Sequence, residues 1–193
     1  MQFVSAGESH GSELVAVLSG FPAGVRFDSV LFEEDLRRRR SGLGRSARLD
    51  VEKDDVRVVS GVAARLTTGA PIAFLLKNSA EGTLFENGVI DKGFPRPGHA
   101  DYSTFRKFGY ENISIGAERS SARETALRVA AGAFCRMFLN EMNVSVTSEV
   151  LEIGGVPYSV FDAEKVLADS ENGTCGGVLK VVVSGNPAGL GSN

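Results

Sequence analysis

Apolar and polar residues alternate at two different periods along this chain, and the change of period marks out its elements. Gln2–Ala6 is a short strand by its alternation, and Leu14–Leu18 is a second apolar run; Gly7-Glu8-Ser9-His10-Gly11 lies between them. From Phe27 to Arg40 the period becomes helical, with Asp28 or Ser29 as cap and Leu31, Phe32 and Leu36 facing inward. Glu33, Glu34 and Asp35 come early in this helix and Arg37–Arg40 late, as the helix dipole prefers. Val51–Val62 and Ala70–Lys77 read as strands separated by a Thr67-Thr68-Gly69 turn, with Asp54 and Asp55 in or beside a turn. Residues 78–94 are a polar, glycine-containing loop by composition. The strongest pattern is Glu118–Met142, where Leu127, Ala130, Ala131, Phe134 and Phe138 form one helical stripe. Ser121-Ala122-Arg123-Glu124 ahead of it fits a capping box, in which Glu124 reaches back to the cap. Val144–Val150 and Val178–Val183 are strands around an acidic segment, with a short helix expected over Asp162–Ala168.

Composition changes this picture little. At 193 residues, with 42% hydrophobic and 23% charged residues, the chain suits a globular fold of one domain, or one and a part. No apolar run is long enough to span a membrane, the N-terminus is unlike a secretory signal, and Cys135 and Cys175 suggest neither a disulfide framework nor a zinc site. A cytoplasmic protein is therefore the expectation. The closing Gly185–Asn193 loop follows its strand so soon that a continuation is expected.

Charge is more telling. Residues 1–136 hold 19 of the 21 Lys/Arg and 17 of the 24 Asp/Glu, a balance of +2, and the remainder carries −5. Six arginines fall between Arg37 and Arg48 with no acid among them, and glycines beside Arg45 let the backbone approach a ligand. Guanidinium forks match phosphate and carboxylate oxygens two at a time, so an anionic ligand is favoured. A sequence pI near 5.5 argues against a general nucleic-acid binder. Arg119, Ser120, Ser121 and Arg123 stand where unpaired helix N–H groups would seat a phosphate. GESHG matches G-x-S-x-G, but a nucleophile elbow needs a helix after it, and here an apolar strand follows. Pro95-Arg96-Pro97-Gly98-His99-Ala100-Asp101 holds His99 on a stiff loop, where an imidazole can act as an acid near neutral pH.

In order, GESHG, RRRRSGLGRSAR, RPGHAD and ERSSARETALRVAAGA closely resemble chorismate synthase, over this whole chain and about the N-terminal half of a typical family member. The resemblance implies an α/β chain of the α+β type, a β-α-β sandwich with antiparallel sheets and helices. It implies elimination of phosphate from 5-enolpyruvylshikimate 3-phosphate with reduced FMN, NADPH as a possible reductant, and a homotetramer with neither nucleic-acid nor membrane partners. By motif, His10 would protonate the reduced flavin and His99 the departing phosphate. Arg119, Ser120 and Ser121, with Arg39 and Arg45, would bind cofactor; Ser9, Arg39, Arg45, Arg48 and Arg123 would bind substrate. Leu43 and Asn112-Ile113-Ser114 depart from the family's usual aromatic and Asp-x-Arg, and the 78–94 loop and the segment between Gly155 and Gly176 look shortened. The other reading from sequence is an inactive relative, a phosphate- or flavin-binding module keeping only the first half of the fold.

Overall fold

The computed structural model describes residues 1–41, 54–78, 88–160, 162 and 175–190. Strands β1 (Gln2–Ala6) and β2 (Glu13–Ser19) pair antiparallel, and helix α1 (Ser29–Arg40) follows. Strands β3 (Val56–Ser60), β4 (Val62–Ala63), β5 (Leu66–Thr67) and β6 (Ile72–Lys77) come next. The main sheet runs β1-β2-β6-β3, antiparallel throughout, and β4 and β5 form a small ribbon.

One face of the main sheet is apolar because alternate residues of each strand point to it. Leu14, Ala16 and Leu18 of β2 stand opposite Leu76, Phe74 and Ile72 of β6, and all six are buried. The long helix lies against this face. It is reached through α2 (Asp101–Phe108), α3 (Ile115–Arg119) and a 3-10 turn (Ala122–Glu124), and runs as α4 from Thr125 to Glu141. Its buried stripe is Leu127, Ala130, Ala131, Phe134 and Met137, with Phe138 partly covered. Phe134 is fully enclosed, its ring 5.3–5.9 Å from those of Phe21, Phe27, Phe32 and Phe74, so it joins the sheet, α1 and the β2–α1 connection in one core. Helix α1 adds Phe32 and Leu36, and Asp28 caps it by accepting from the N–H groups of Val30 and Leu31.

After α4, β7 (Ser145–Ile153) pairs antiparallel with β9 (Gly177–Ser184) and with the short β8 (Val156–Pro157). Val178, Leu179, Val181 and Val183 of β9 are all exposed. The helix expected over 162–168 lies outside the described residues, Asp162 apart. Helices α2 and α3 were not anticipated by the periodicity. The segment expected as one capped helix is instead three pieces, with its cap only half formed. Ser121 Oγ accepts from the Arg123 N–H at 3.3 Å, but Glu124 turns away to Ser5 and Arg128.

Candidate functional site

The GESHG turn is a tight connection between two paired strands. Gly7 has φ +111°, and a Cβ there would lie 2.7 Å from Glu13 O and 2.8 Å from Leu14 Cα, so only glycine fits. Gly11 N–H donates to Glu8 O, and the buried Asn78 side chain donates from Nδ2 to the carbonyls of Glu8 and Gly11 at 3.2 and 2.7 Å. Because the turn leads straight into β2, the strand–turn–helix context of a nucleophile elbow is missing. Ser9 is buried, and its N–H donates to Glu118 O at 3.1 Å. His10 donates its N–H to Glu118 Oε2 at 2.9 Å, and its Nδ1 lies 2.9 Å from Glu118 Oε1. The His10 side chain is 58% exposed, that of Glu118 only 9%.

The other face of Asn78 belongs to a buried charge network. Asn78 Oδ1 accepts from Arg123 Nε at 2.9 Å; Arg123 Nη1 donates to Asp54 Oδ1, and its Nη2 to Lys77 O at 3.2 Å. The second oxygen of Asp54 accepts from Arg39 Nη1 at 2.6 Å. Arg39 also donates to Thr125 Oγ1 at 3.1 Å and Ala122 O at 2.9 Å. One carboxylate thus fixes two arginines, from α1 and from the 3-10 turn, and Asn78 ties them to the GESHG turn. Asp54, whose carbonyl accepts from the Val56 N–H at 3.0 Å, is a buried counter-ion, and Arg123, at the helix start, is a buried guanidinium.

Arg119, Ser120 and Ser121 occupy the link between α3 and the 3-10 turn. Among the described residues the recorded bonds of Arg119 all come from Nη2, to the carbonyl and hydroxyl of Ser5 at 2.8 and 2.9 Å. With 45% of its side chain exposed, Arg119 presents a further donor edge to an anion, and Ser120 is an exposed hydroxyl next to it. Glu124 lies 3.8 Å from Arg119. Burial pushes the Glu124 carboxyl up, but hydrogen bonds from Ser5 and Arg128 and the Arg128 and Arg119 charges outweigh this and hold it below its ordinary value. It is therefore a fixed negative charge bracing the Arg119 side chain.

The RPGHAD loop is fastened at its ends. Gly98 takes φ +73°, His99 N–H donates to Arg96 O at 3.3 Å, and His99 itself is exposed. Arg96 grips the buried Asp101 at the start of α2, donating from Nε and Nη2 at 2.9 and 2.8 Å and from its backbone N–H at 3.0 Å. The hydrogen bond from Arg96 holds the Asp101 carboxyl at about 2 against the pull of burial, helped by the Arg96 and His99 charges. The same bond raises Arg96, whose guanidinium also feels the charge of Glu118. Each histidine loop is thereby fastened by a pair of its own, His10 with Glu118 on α3 and Arg96 with Asp101 on α2. Helix α2 packs closely on α3, since a Cβ on Gly116 would fall 1.8 Å from Thr104 Oγ1.

Asn112 and Ser114 have structural partners. Asn112 donates to Val89 O and accepts from the Ser114 N–H, and Ser114 Oγ accepts from the Lys92 N–H, which ties residues 89–92 to α3. Arg45 and Arg48, like Leu43, lie outside the described residues. The Cys135 thiol is pushed up by burial, which makes it a poor nucleophile. Among the described residues no group of three or more His, Cys, Asp or Glu is gathered as for a metal ion, and no helix is long and apolar enough to cross a membrane. Sequence reasoning missed Glu118, Asp54 and Asn78. The one available signal was the acid placed directly before Arg119-Ser120-Ser121.

Comparison with known proteins gives a uniform result. The family model described as chorismate synthase matches residues 1–193. The chorismate synthase of Caldanaerobacter subterraneus subsp. tengcongensis is 41% identical over 196 residues, which is all of this chain and 55% of that protein. That of Thermoanaerobacter pseudethanolicus is 38% identical over 194 residues, again 55% of its length. The chain therefore spans little more than half the length of these curated relatives. A crystal structure of chorismate synthase matches with a TM-score of 0.62 at 32% identity, covering 88% of this chain and 43% of the other.

Proposed function

The chain belongs to the chorismate synthase family, and on that premise we propose that it forms the N-terminal part of an enzyme eliminating phosphate from 5-enolpyruvylshikimate 3-phosphate to give chorismate. In this reaction the ring carbon–oxygen bond to phosphate breaks and a proton leaves the ring carbon at the far end of the existing double bond; that double bond gives way to two conjugated ones, each joining one of its carbons to one of the reacting carbons. Reduced FMN, when bound, supplies electron density for an elimination that is redox-neutral overall.

The residues of this chain bind, orient and hold protons. Arg119, Ser120 and Ser121 suit an anionic cofactor, since they offer an exposed guanidinium edge and hydroxyls at one chain reversal. Arg39 and Arg123, both fixed on Asp54, bring two guanidinium groups to one place, which suits an anionic substrate. Arg45, Arg48 and Ser9 complete the proposed contacts to cofactor and substrate. His99 holds the proton given to the departing phosphate, and His10 holds the one given to the flavin side.

The observation that carries this reading is the support of the two histidine loops: Glu118 faces His10 Nδ1 at 2.9 Å, and Arg96 grips Asp101 two residues after His99. The two histidines lie 89 positions apart in sequence, and their neighbours Glu118 and Asp101 stand on the packed helices α3 and α2. The test is to follow phosphate release from the substrate with reduced FMN under anaerobic conditions. Release that His99→Ala abolishes, with flavin binding unchanged, supports the assignment. Release that persists in His99→Ala refutes the role of His99, and binding without release identifies a flavin-binding module.

A further inference from the structure

Glu118 opens the ERSSARETALRVAAGA motif, where sequence alone gives it no role, and in the folded chain it reaches across to the GESHG turn. Its backbone carbonyl takes the Ser9 N–H, one carboxylate oxygen takes the His10 N–H at 2.9 Å, and the other faces His10 Nδ1 at 2.9 Å. With its side chain 9% exposed, it is a buried anchor for a largely exposed imidazole. Its own position is fixed by α3, which packs closely on α2 through Gly116.

An ionised carboxylate can only accept hydrogen bonds. A ring nitrogen held against it must therefore carry the proton, and the hydrogen bond at one imidazole nitrogen decides which tautomer is present. Among the described residues, the charged groups near the pair include Arg96, from the loop before α2, and Arg119, the next residue of α3, whose Nη2 is directed to Ser5.

We infer that Glu118 is the positioning residue of His10: it holds the neutral ring in the Nδ1–H tautomer, so that proton exchange with a ligand takes place at Nε2. The arrangement follows the logic of acid–base sites in which a carboxylate orients the imidazole without itself taking the proton. Only the identity of the ligand rests on the function proposed above.

Nitrogen-15 NMR of the labelled 193-residue chain reads the tautomer directly, above the pH at which the ring is charged. With two histidines in the chain, His10→Gln assigns the signals. The expected result is a pyrrole-type Nδ1 and a pyridine-type Nε2 for His10. In Glu118→Ala the Nδ1–H to Nε2–H ratio should fall by on the order of tenfold, while the His99 signals stay in place. A His10 that is predominantly Nε2–H in the unaltered chain overturns the inference, as does a ratio unchanged in Glu118→Ala. Should Glu118→Ala fail to fold, the measurement on the unaltered chain decides alone. No flavin or turnover enters the readout, so failure here is distinct from failure of the proposed function, which anaerobic FMN binding reports.

Discussion

Replacing Asp54 by alanine removes the only carboxylate recorded between Arg39 and Arg123 among the described residues. In the folded chain Asp54 is completely buried, the Arg123 side chain is 3% exposed and that of Arg39 is 12%. Each hydrogen bond to a charged partner contributes about 1.5–3 kcal/mol, and breaking a buried pair by deleting one member costs about 3–5 kcal/mol. Two features decide where in that range Asp54→Ala falls. Arg123 keeps Asn78 Oδ1 and Lys77 O, and Arg39 keeps Thr125 Oγ1 and Ala122 O, so neither guanidinium is stripped bare. Against this, two guanidinium groups lose the carboxylate that stands between them. We expect a loss of about 4 kcal/mol, a large part of the 5–15 kcal/mol that holds a typical domain. In urea, with a slope of about 2.5 kcal/mol per molar, the midpoint should fall by about 1.5 M at unchanged slope. The double variant Asp54→Leu/Arg123→Met, which removes both charges of the buried pair, should recover more than half of the loss. A loss below about 1 kcal/mol, the scale of an exposed ion pair, would refute the buried lock.

Other perturbations probe the remaining parts of the site. The Asp101 carboxyl, held at about 2 by Arg96 from an ordinary value of 3.8, stabilises the fold fully above pH 4; that contribution fades as pH falls toward 2. The stability gap between the unaltered chain and Asp101→Asn should therefore shrink over this window in acid titrations followed by circular dichroism, and a gap independent of pH would contradict the pairing. Gly7→Ala should cost about 1–3 kcal/mol, because its Cβ meets backbone at 2.7 Å in a conformation unfavourable to L residues, and should displace the His10 amide resonance. An unshifted His10 resonance would mean that the turn yields locally. Phe134→Ala should destabilise by about 3–5 kcal/mol in urea unfolding, since four aromatic rings surround the cavity it leaves; a loss under about 1 kcal/mol would mean that the core collapses to fill it.

The main elements were legible because their burial follows a single period. Alternation placed β1, β2 and β6, and the Leu127–Phe134 stripe gave the long helix, since one helix face lies on one apolar sheet face. The short helices α2 and α3 were illegible for the opposite reason. They are eight and five residues long, and what they bury is Asp101, Gly116 and Glu118 rather than an apolar stripe. The capping box was a genuine local pattern, but Ser5, from a strand over a hundred residues away, competed for Glu124 and won it. Asp54, Asn78 and Glu118 share that character. Each acts through partners distant in sequence, and nothing in the neighbouring residues reports a pairing that only the folded chain brings about. The motifs marked the loops that carry the histidines and arginines, whereas their supports could be found only in the structure.

The function proposed above makes Arg119-Ser120-Ser121 the anion site for reduced flavin. Anaerobic titration of the chain with reduced FMN, read by the flavin's absorbance and repeated with Arg119→Ala, tests it most directly. Saturable binding that Arg119→Ala weakens at least tenfold, an effect of about 1.4 kcal/mol in the range of a charge-assisted contact, is the predicted result. Binding unaffected by Arg119→Ala, or no binding at all, would contradict it.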